Sequence, residues 1–251
     1  MPRDSTNMDS ITELKKISAS LAKECETLRF GGKVAAVYNP LLFASLPHNK
    51  YLELSGSGPK KVIFLGMNPG PWGMAQTGVP FGEITAVRDW MGIMAEVKKP
   101  EREHPKRPIE GFACAKSEVS GRRLWGLFGA RFETAVDFFR EHYVANYCPL
   151  VFMDENGANI TPDKLPAHEA AALFEICNRA LLATIKALSP RWVIGVGGFA
   201  KKRIDALSCK SFTSAQILHP SPANPRANSG WADEVTKTLV GLGVWDQGIT
   251  D

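Results

Sequence analysis

Four short runs of apolar residues, bounded by glycine, proline or charged residues, stand out along the chain. Runs of this length without polar alternation are typical of strands that a parallel sheet buries on both faces. They cover residues 61–66 (KVIFLG), 144–152 (VANYCPLVF), 191–197 (RWVIGVG) and 214–219 (SAQILH). The pattern therefore predicts four buried strands.

Helical spacing of apolar residues fills the segments between these runs. It predicts helices over residues 83–94, 120–142 and 166–188, and a last helix after Gly230. Because strand and helix alternate, we expect an α/β fold. The prediction is a single three-layer α/β/α domain with a central, mainly parallel four-stranded sheet.

The N-terminal segment shows a helix-start pattern after a polar stretch. Ser10 and Glu13 have the spacing of a capping box, which predicts an amphipathic helix from Ser10 to about Leu28. We therefore expect a flexible N-terminus over residues 1–9 and one domain over residues 10–251.

Composition narrows the class of protein only modestly. A net charge of +4 fits a protein that meets polyanions, but many metabolic enzymes carry a similar charge. The five cysteines include no C-x-x-C pair, so the spacing predicts no zinc ribbon, paired redox site or iron–sulfur cluster. No secretory signal or membrane-length apolar run is evident. We expect a soluble intracellular protein without metal or cofactor.

Polar groups and tight turns follow the predicted strands. Residues 66–73 (GMNPGPWG) follow the first run, Asn146 lies in the second, and residues 219–225 (HPSPANP) begin at the end of the fourth. Ligands of open α/β sheets bind beyond the carboxyl ends of strands, so these groups predict one site. Each of these features alone is also explained without a function, as a turn, a core histidine or an amide that hydrogen-bonds to the backbone. Neither a P-loop nor a full dinucleotide fingerprint is present.

At these positions the sequence resembles a known family, the single-strand-selective monofunctional uracil-DNA glycosylases. Residues 66–83 (GMNPGPWGMAQTGVPFGE) resemble the family's water-activating motif, and residues 219–231 (HPSPANPRANSGW) resemble its second motif and wedge. Shorter matches fall in residues 37–40, 104–108, 117–121 (SEVSG) and 146–150 (NYCPL). The resemblance implies the parallel four-stranded sheet between helices that the hydrophobic pattern predicts independently.

The resemblance also assigns roles to individual residues of the predicted site. Asn68 would hold the attacking water, and His219 would donate a hydrogen bond to the developing charge on uracil O2. Asn146 would bind the base edge, and Phe81 would stack on the flipped base. Met67 and Gly70 would line the same pocket. Gly70 is small where better-known uracil glycosylases carry a bulky aromatic residue, which implies that 5-substituted uracils are accepted.

DNA contacts are expected around the second motif and one predicted helix. The resemblance places them at Pro220, Ser221, Pro222, Ala223, Asn224, Arg226, Ser120 and Arg122. The wedge departs from vertebrate members of the family, which carry Arg at the position of Ala223 and Lys at that of Ser229. Arg226 is a candidate substitute, because side chains inserted into a duplex hold the gap open. Lys106, Arg107, Arg122 and Arg123 could form a phosphate-contacting rim, although residues 98–107 also read as a solvated loop.

The implied activity is hydrolysis of the N-glycosidic bond of uracil in single- and double-stranded DNA, leaving an abasic site. 5-Hydroxymethyluracil and related oxidised pyrimidines are expected substrates. A monomeric, DNA-associated protein that binds no membrane is expected. A mismatch-directed uracil/thymine glycosylase, a non-catalytic lesion-binding protein and a phosphate-handling α/β enzyme stay open as alternatives.

Overall fold

A four-stranded parallel sheet lies at the centre of the computed structural model, which describes residues 5–209 and 211–247. Its strand order is β3-β2-β6-β7, and all three neighbouring pairs run parallel. The strands are β1 (Ala36–Tyr38), β2 (Val62–Gly66), β3 (His142–Asn146), β4 (Val151–Met153), β5 (Asn159–Ile160), β6 (Trp192–Val196) and β7 (Thr213–Ile217).

Nine α-helices surround the sheet in the part of the chain that is described. They are α1 (Ser5–Glu26), α2 (Pro40–Phe43), α3 (Ser45–Ser55), α4 (Met74–Thr77), α5 (Val119–Arg131), α6 (Ala135–Glu141), α7 (Ala167–Leu188), α8 (Gly198–Asp205) and α9 (Trp231–Gly241). None of the described helices combines the length and the apolar character needed to cross a membrane.

The helices form two outer layers whose places follow from the strand order. Right-handed crossovers put α5 and α6, between β2 and β3, on one face, and α7 and α8 on the other. The side-chain contacts agree: α1 packs on α7, whereas Phe128 of α5 contacts Trp245, which follows α9. The predicted three-layer α/β/α fold is confirmed.

The apolar run at residues 144–152 is not one strand, so this prediction was wrong. β3 ends at Asn146, and β4 belongs to a separate antiparallel sheet of order β1-β4-β5. The connecting backbone still follows the edge of the first sheet, because Tyr147 N donates to Gly66 O and Cys148 N to Met67 O, each at 2.9 Å. Pro149 then offers no N–H and ends this pairing.

The N-terminal helix begins at Ser5, not at the predicted Ser10, so residues 5–9 are helical. Residues 1–4 lie outside the described part. Ser10 does not cap the helix: its hydroxyl donates to Gly56 O and accepts from Gly58 N, both at 3.0 Å. The Ser10 side chain, which the local pattern assigned to a capping box, therefore makes a tertiary contact instead.

Two predicted helices differ in the structure. The helix predicted over residues 83–94 is shorter: Ile84 and Thr85 are α-helical, and a π-helical turn follows at Ala86–Trp90. The helix predicted over residues 120–142 is divided into α5 and α6, and Thr134 caps α6 by accepting a hydrogen bond from Asp137 N at 3.1 Å. The helices predicted over residues 166–188 and after Gly230 are confirmed as α7 and α9.

Candidate active site

One cleft opens at the carboxyl ends of β2, β3 and β7, where the strand order reverses around β2. The structure brings Asn68, Asn146 and His219 together there. The described lining residues are Met67, Asn68, Pro69, Gly70, Met74, Phe81, Glu118, Ser120, Asn146, Asn159, Thr161, His219 and Ser221. The sheet edge that the motifs predicted is therefore the site of the cleft.

The side-chain amide of Asn68 is oriented by main-chain carbonyls. Its Nδ2 donates to Leu150 O at 3.1 Å and to Pro69 O at 3.3 Å. Its Oδ1 is buried and has no hydrogen-bond partner among the described residues. Because a carbonyl can only accept, this arrangement directs the acceptor atom of Asn68 away from Leu150 and leaves it free for a ligand.

Asn146, the last residue of β3, presents a second available amide. Its Oδ1 is buried without a partner among the described residues, and its Nδ2 makes only a long contact of 3.5 Å to Met74 Sδ. An amide with both ends available can accept from one group and donate to another on the same planar ligand. The amide is held by packing more than by hydrogen bonds.

Gly66 allows Phe81 and Asn146 to meet at the floor of the cleft. A Cβ on Gly66 would lie 2.5 Å from Phe81 Cε2 and 2.6 Å from Asn146 Oδ1, so only glycine fits. Phe81 itself has a φ of 53°, a conformation that costs a non-glycine residue energy and often marks functional sites. Trp125 Nε1 supports this turn by donating to Pro80 O at 3.2 Å.

The hydrogen bonds of His219 define its tautomer. Ser221 N donates to His219 Nδ1 at 3.1 Å, so Nδ1 accepts and the ring proton lies on Nε2. Burial lowers the pKa of His219 to about 4, which keeps the imidazole neutral at physiological pH. Gly197, at a φ of 90°, allows the ring to approach β6, since a Cβ there would lie 3.0 Å from His219 Cβ. The cleft therefore contains a neutral imidazole whose Nε2–H can donate.

Gln76 fixes the loop between Asn68 and α4, a role that the sequence did not reveal. It is fully buried, and its Nε2 donates to Pro71 O and Pro108 O, each at 3.0 Å. Its Oε1 accepts from Glu110 N at 2.8 Å and Gly111 N at 3.0 Å. All four hydrogen-bonding positions of the amide are thus used to attach the loop to a distant segment.

Arg123 anchors the loop that follows His219. Its Nη1 donates to Pro220 O and its Nη2 to Asn228 Oδ1, both at 3.0 Å. Arg226, the candidate wedge, pairs with Glu234 of α9 at 2.6 Å. Pro222 and Ala223 are exposed at the tip of the loop, and Asn224 accepts from Arg226 N at 3.2 Å.

The residues of the predicted basic rim differ in whether their side chains contact other side chains of the protein. Arg122 is exposed on α5 beside Ser120, which lines the cleft. Lys106 donates to Asn156 Oδ1 at 3.0 Å, and the Arg107 guanidinium lies 5.1 Å from the centre of the Trp72 ring. Contact of these residues with phosphate stays a prediction.

Five lining residues were not among the predicted site residues: Pro69, Met74, Glu118, Asn159 and Thr161. Glu118 lies in the segment SEVSG, whose sequence resemblance was a usable signal. Asn159 and Thr161 lie in and after β5, a strand that the hydrophobic pattern does not predict. Among the described residues, no group of three or more His, Cys, Asp and Glu is placed to hold a metal ion.

The chain is similar to known proteins in sequence and in structure. The profile of the Uracil DNA glycosylase superfamily matches residues 55–239. The single-strand selective monofunctional uracil-DNA glycosylase of Rattus norvegicus is 45% identical over 227 residues, 89% of this chain and 82% of that protein. Its Bos taurus counterpart is also 45% identical, over 89% of this chain and 84% of that protein. The crystal structure of Pedobacter heparinus SMUG2 shares the fold with a TM-score of 0.62 at 17% identity, covering 91% of this chain and 97% of that one.

Proposed function

The chain belongs to the single-strand-selective monofunctional uracil-DNA glycosylases of the uracil DNA glycosylase superfamily, and we propose how its cleft performs the reaction. It is a monofunctional uracil-DNA glycosylase, a hydrolase of N-glycosyl bonds that acts in base excision repair. Its substrate is DNA. The observation that carries the proposed mechanism is that the buried Oδ1 of Asn68, which has no partner among the described residues, lines the same cleft as the neutral imidazole of His219.

Base recognition is assigned to Asn146 and Phe81. A uracil stacked in a duplex is out of reach, so the nucleotide must rotate into the cleft at a cost of a few kcal/mol. The Oδ1 of Asn146 accepts from uracil N3–H, and its Nδ2 donates to O4. Cytosine presents the reverse pattern on this edge, so it leaves both atoms of the amide unpaired as long as Nδ2 keeps the orientation in which it contacts Met74 Sδ. Phe81 stacks on the base beside Asn146, and Met67 lines the wall.

Bond cleavage is assigned to His219. The C1′–N1 bond breaks with its electron pair moving to the base, which gives a cationic sugar and a uracil anion. The Nε2–H of the neutral imidazole donates to O2 as this charge develops, and loss of such a donor typically costs about 10²–10³ in rate. A neutral donor keeps its proton, since the anion needs stabilisation and not full protonation at this step.

Water addition is assigned to Asn68. An amide has no accessible proton-accepting pKa, so Asn68 acts by position: its free Oδ1 accepts from the water and points the oxygen at C1′. The new bond forms between this oxygen and C1′. The proton released by the water ends on the uracil anion or in solvent, and the products are free uracil and an abasic site. No covalent enzyme intermediate is needed.

The substrate range is assigned to Gly70. A Cβ at Gly70 would meet no atom within 4 Å, so the wall next to the base is open. This space admits the 5-substituents of 5-hydroxymethyluracil and related oxidised pyrimidines. A Gly70→Tyr variant fills it and is expected to lose 5-hydroxymethyluracil excision while uracil excision persists. Equal single-turnover rates of the variant and the unchanged protein on 5-hydroxymethyluracil would contradict this steric account.

DNA engagement is assigned to both rims of the cleft. Ser120, Ser221, Pro220 and Pro222 contact the backbone next to the flipped nucleotide, and Ala223 and Asn224 approach the gap. The small side chain of Ala223 fills little of that gap, and Arg226 must release Glu234 before it can enter. We therefore propose action on both strand forms, with single strands processed faster because no gap has to be held open.

A further inference from the structure

The carboxyl of Glu118 lies where three segments of the site meet. Glu118 directly precedes α5 and lines the same cleft as Asn68. A Cβ on Gly73, in the loop that carries Asn68, would lie 2.6 Å from Glu118 Oε2. A Cβ on Gly121 of α5 would lie 2.7 Å from the same oxygen and would overlap the main-chain carbonyl oxygen of Phe81. Two glycines thus make room for one carboxyl beside the residue that stacks on the base.

The surroundings of this carboxyl favour its uncharged form. Burial raises the pKa of Glu118 to about 7; the N–H of Gly121 opposes the rise, and the charge of Glu83 adds to it. Glu83 faces it from the turn after Phe81, where it accepts from Ala86 N at 3.0 Å and from Ser117 Oγ at 3.3 Å. Lys116 and Arg122, the nearest basic residues in sequence, are exposed, and His219 across the cleft is neutral.

We propose that Glu118 is a positioning residue of the glycosylase site, whose carboxyl packs between the Asn68 loop and the Phe81 turn and holds both in place for excision. The proposal rests on the proposed function, because that function assigns the water to Asn68 and the base to Phe81. Neither the reaction steps nor the base contacts described above use Glu118.

Ionisation of Glu118 disturbs this arrangement. A carboxylate there faces Glu83 and has no cation beside it among the described residues, so it moves toward water and releases its contacts with the Gly73 loop. At pH 6 and below the carboxyl is mostly protonated and the site is complete. As the pH rises through 7 the rate falls, and if only the protonated form is competent the loss between pH 6 and pH 8 is about tenfold.

The test is the pH profile of single-turnover uracil release from a single-stranded oligonucleotide, with enzyme in excess, between pH 5.5 and pH 8.5. The unchanged protein is expected to lose rate through pH 7, with unchanged affinity for abasic product DNA by fluorescence anisotropy. Glu118→Gln keeps the shape of the side chain and cannot ionise, so its rate should stay level across this range. Glu83→Gln removes the neighbouring charge and should move the fall to lower pH.

The results separate this proposal from the proposed function. A level profile for the unchanged protein, or the same fall in folded Glu118→Gln, would overturn the positioning role. A rate that rises through pH 7 would also overturn it, because that result indicates a carboxylate that accepts a proton. Absence of uracil release at every pH would contradict the proposed glycosylase activity itself. If Glu118→Gln fails to fold, the Glu83→Gln profile tests the assignment, and a fall at the same pH as in the unchanged protein would overturn the positioning role.

Discussion

Asn68 Nδ2 donates a hydrogen bond to the main-chain carbonyl of Leu150 at 3.1 Å, which joins the loop after β2 to the segment between β3 and β4. The contact fixes which end of the amide faces the cleft. An amide free to rotate could present Nδ2 to the attacking water, whereas this one presents its acceptor. The catalytic use of Asn68 therefore depends on a residue far away in the sequence.

Removing this amide should abolish turnover while DNA binding persists. Asn68→Ala deletes the acceptor that positions the water, and misplacement of a reacting group costs about 10²-fold or more. Single-turnover uracil release and anisotropy with abasic DNA measure the two effects. Asn49→Ala is the matched control, because Asn49 lies on α3, outside the cleft. A rate for Asn68→Ala within a few-fold of the control would refute the assigned role.

Gly66 should tolerate no side chain. Gly66→Ala forces Cβ against the Phe81 ring and the Asn146 amide, so we expect lost excision and about 1–3 kcal/mol of lost unfolding free energy. Gly126→Ala in α5 is the control, since its Cβ meets nothing within 4 Å and alanine favours the helix by about 0.5–1 kcal/mol. Urea unfolding and uracil release measure both. Full activity of Gly66→Ala would show that the floor of the cleft is described wrongly.

Substitutions of Arg122 and Arg123 should have different effects on DNA binding and on rate, although the two residues are adjacent. Arg122 is exposed, so Arg122→Ala should weaken DNA binding and reduce the salt dependence of single-strand affinity by about 0.7 in log–log slope. Arg123 already donates to Pro220 and Asn228, so Arg123→Ala should leave the slope unchanged and lower the rate roughly tenfold by loosening the His219 loop. Titrations at several salt concentrations compare them. A reduced slope for Arg123→Ala would make it a phosphate contact.

Acid should destabilise the protein through two buried histidines away from the cleft. Burial lowers the pKa values of His48 and His142 to about 4, against about 6.5 in the unfolded chain. The unfolded chain therefore binds protons first, and stability that is complete above pH 6.5 is lost as the pH falls toward 4. Each histidine contributes about 3 kcal/mol to that loss.

His142 offers a direct check of this acid effect. Its Nδ1 donates to Phe138 O at 2.9 Å, and its Nε2 accepts from Trp245 Nε1 at 3.1 Å. The bond from Trp245 requires the neutral ring, because a protonated Nε2 cannot accept. His142→Phe keeps the stacking on Phe138 and cannot titrate. Urea unfolding between pH 7.5 and pH 4.5 should give a shallower decline for this variant. An identical decline in unfolding free energy for the variant and the unchanged protein would show that His142 does not contribute to the loss of stability in acid.

The strand-end motifs could be predicted because they are contiguous in sequence. Asn68, Asn146 and His219 each follow or end a buried strand, and parallel strands bring their carboxyl ends to one edge. The tautomer of His219 was not predictable, since Ser221 N selects it through loop geometry.

Long-range contacts explain what the sequence did not reveal. The structural roles of Gln76 and Arg123 depend on partners that lie 32 and 97 residues away in the sequence. The prediction of one strand over residues 144–152 was wrong for a related reason. An apolar run indicates that the backbone is buried, but it does not indicate which sheet the backbone pairs with. Ser10 has the local spacing of a capping residue, but its hydroxyl donates to Gly56 O, which is distant in the sequence.

The account is tested most directly by a glycosylase assay on labelled oligonucleotides that carry one uracil, single-stranded or paired with guanine, in the presence of a chelator. A G·T duplex tests for mismatch-directed thymine excision. We predict release of free uracil and an alkali-labile site on both uracil substrates, faster on the single strand, with no strand break before alkali. No uracil release by folded protein that still binds these oligonucleotides would contradict the account and indicate a non-catalytic lesion-binding protein.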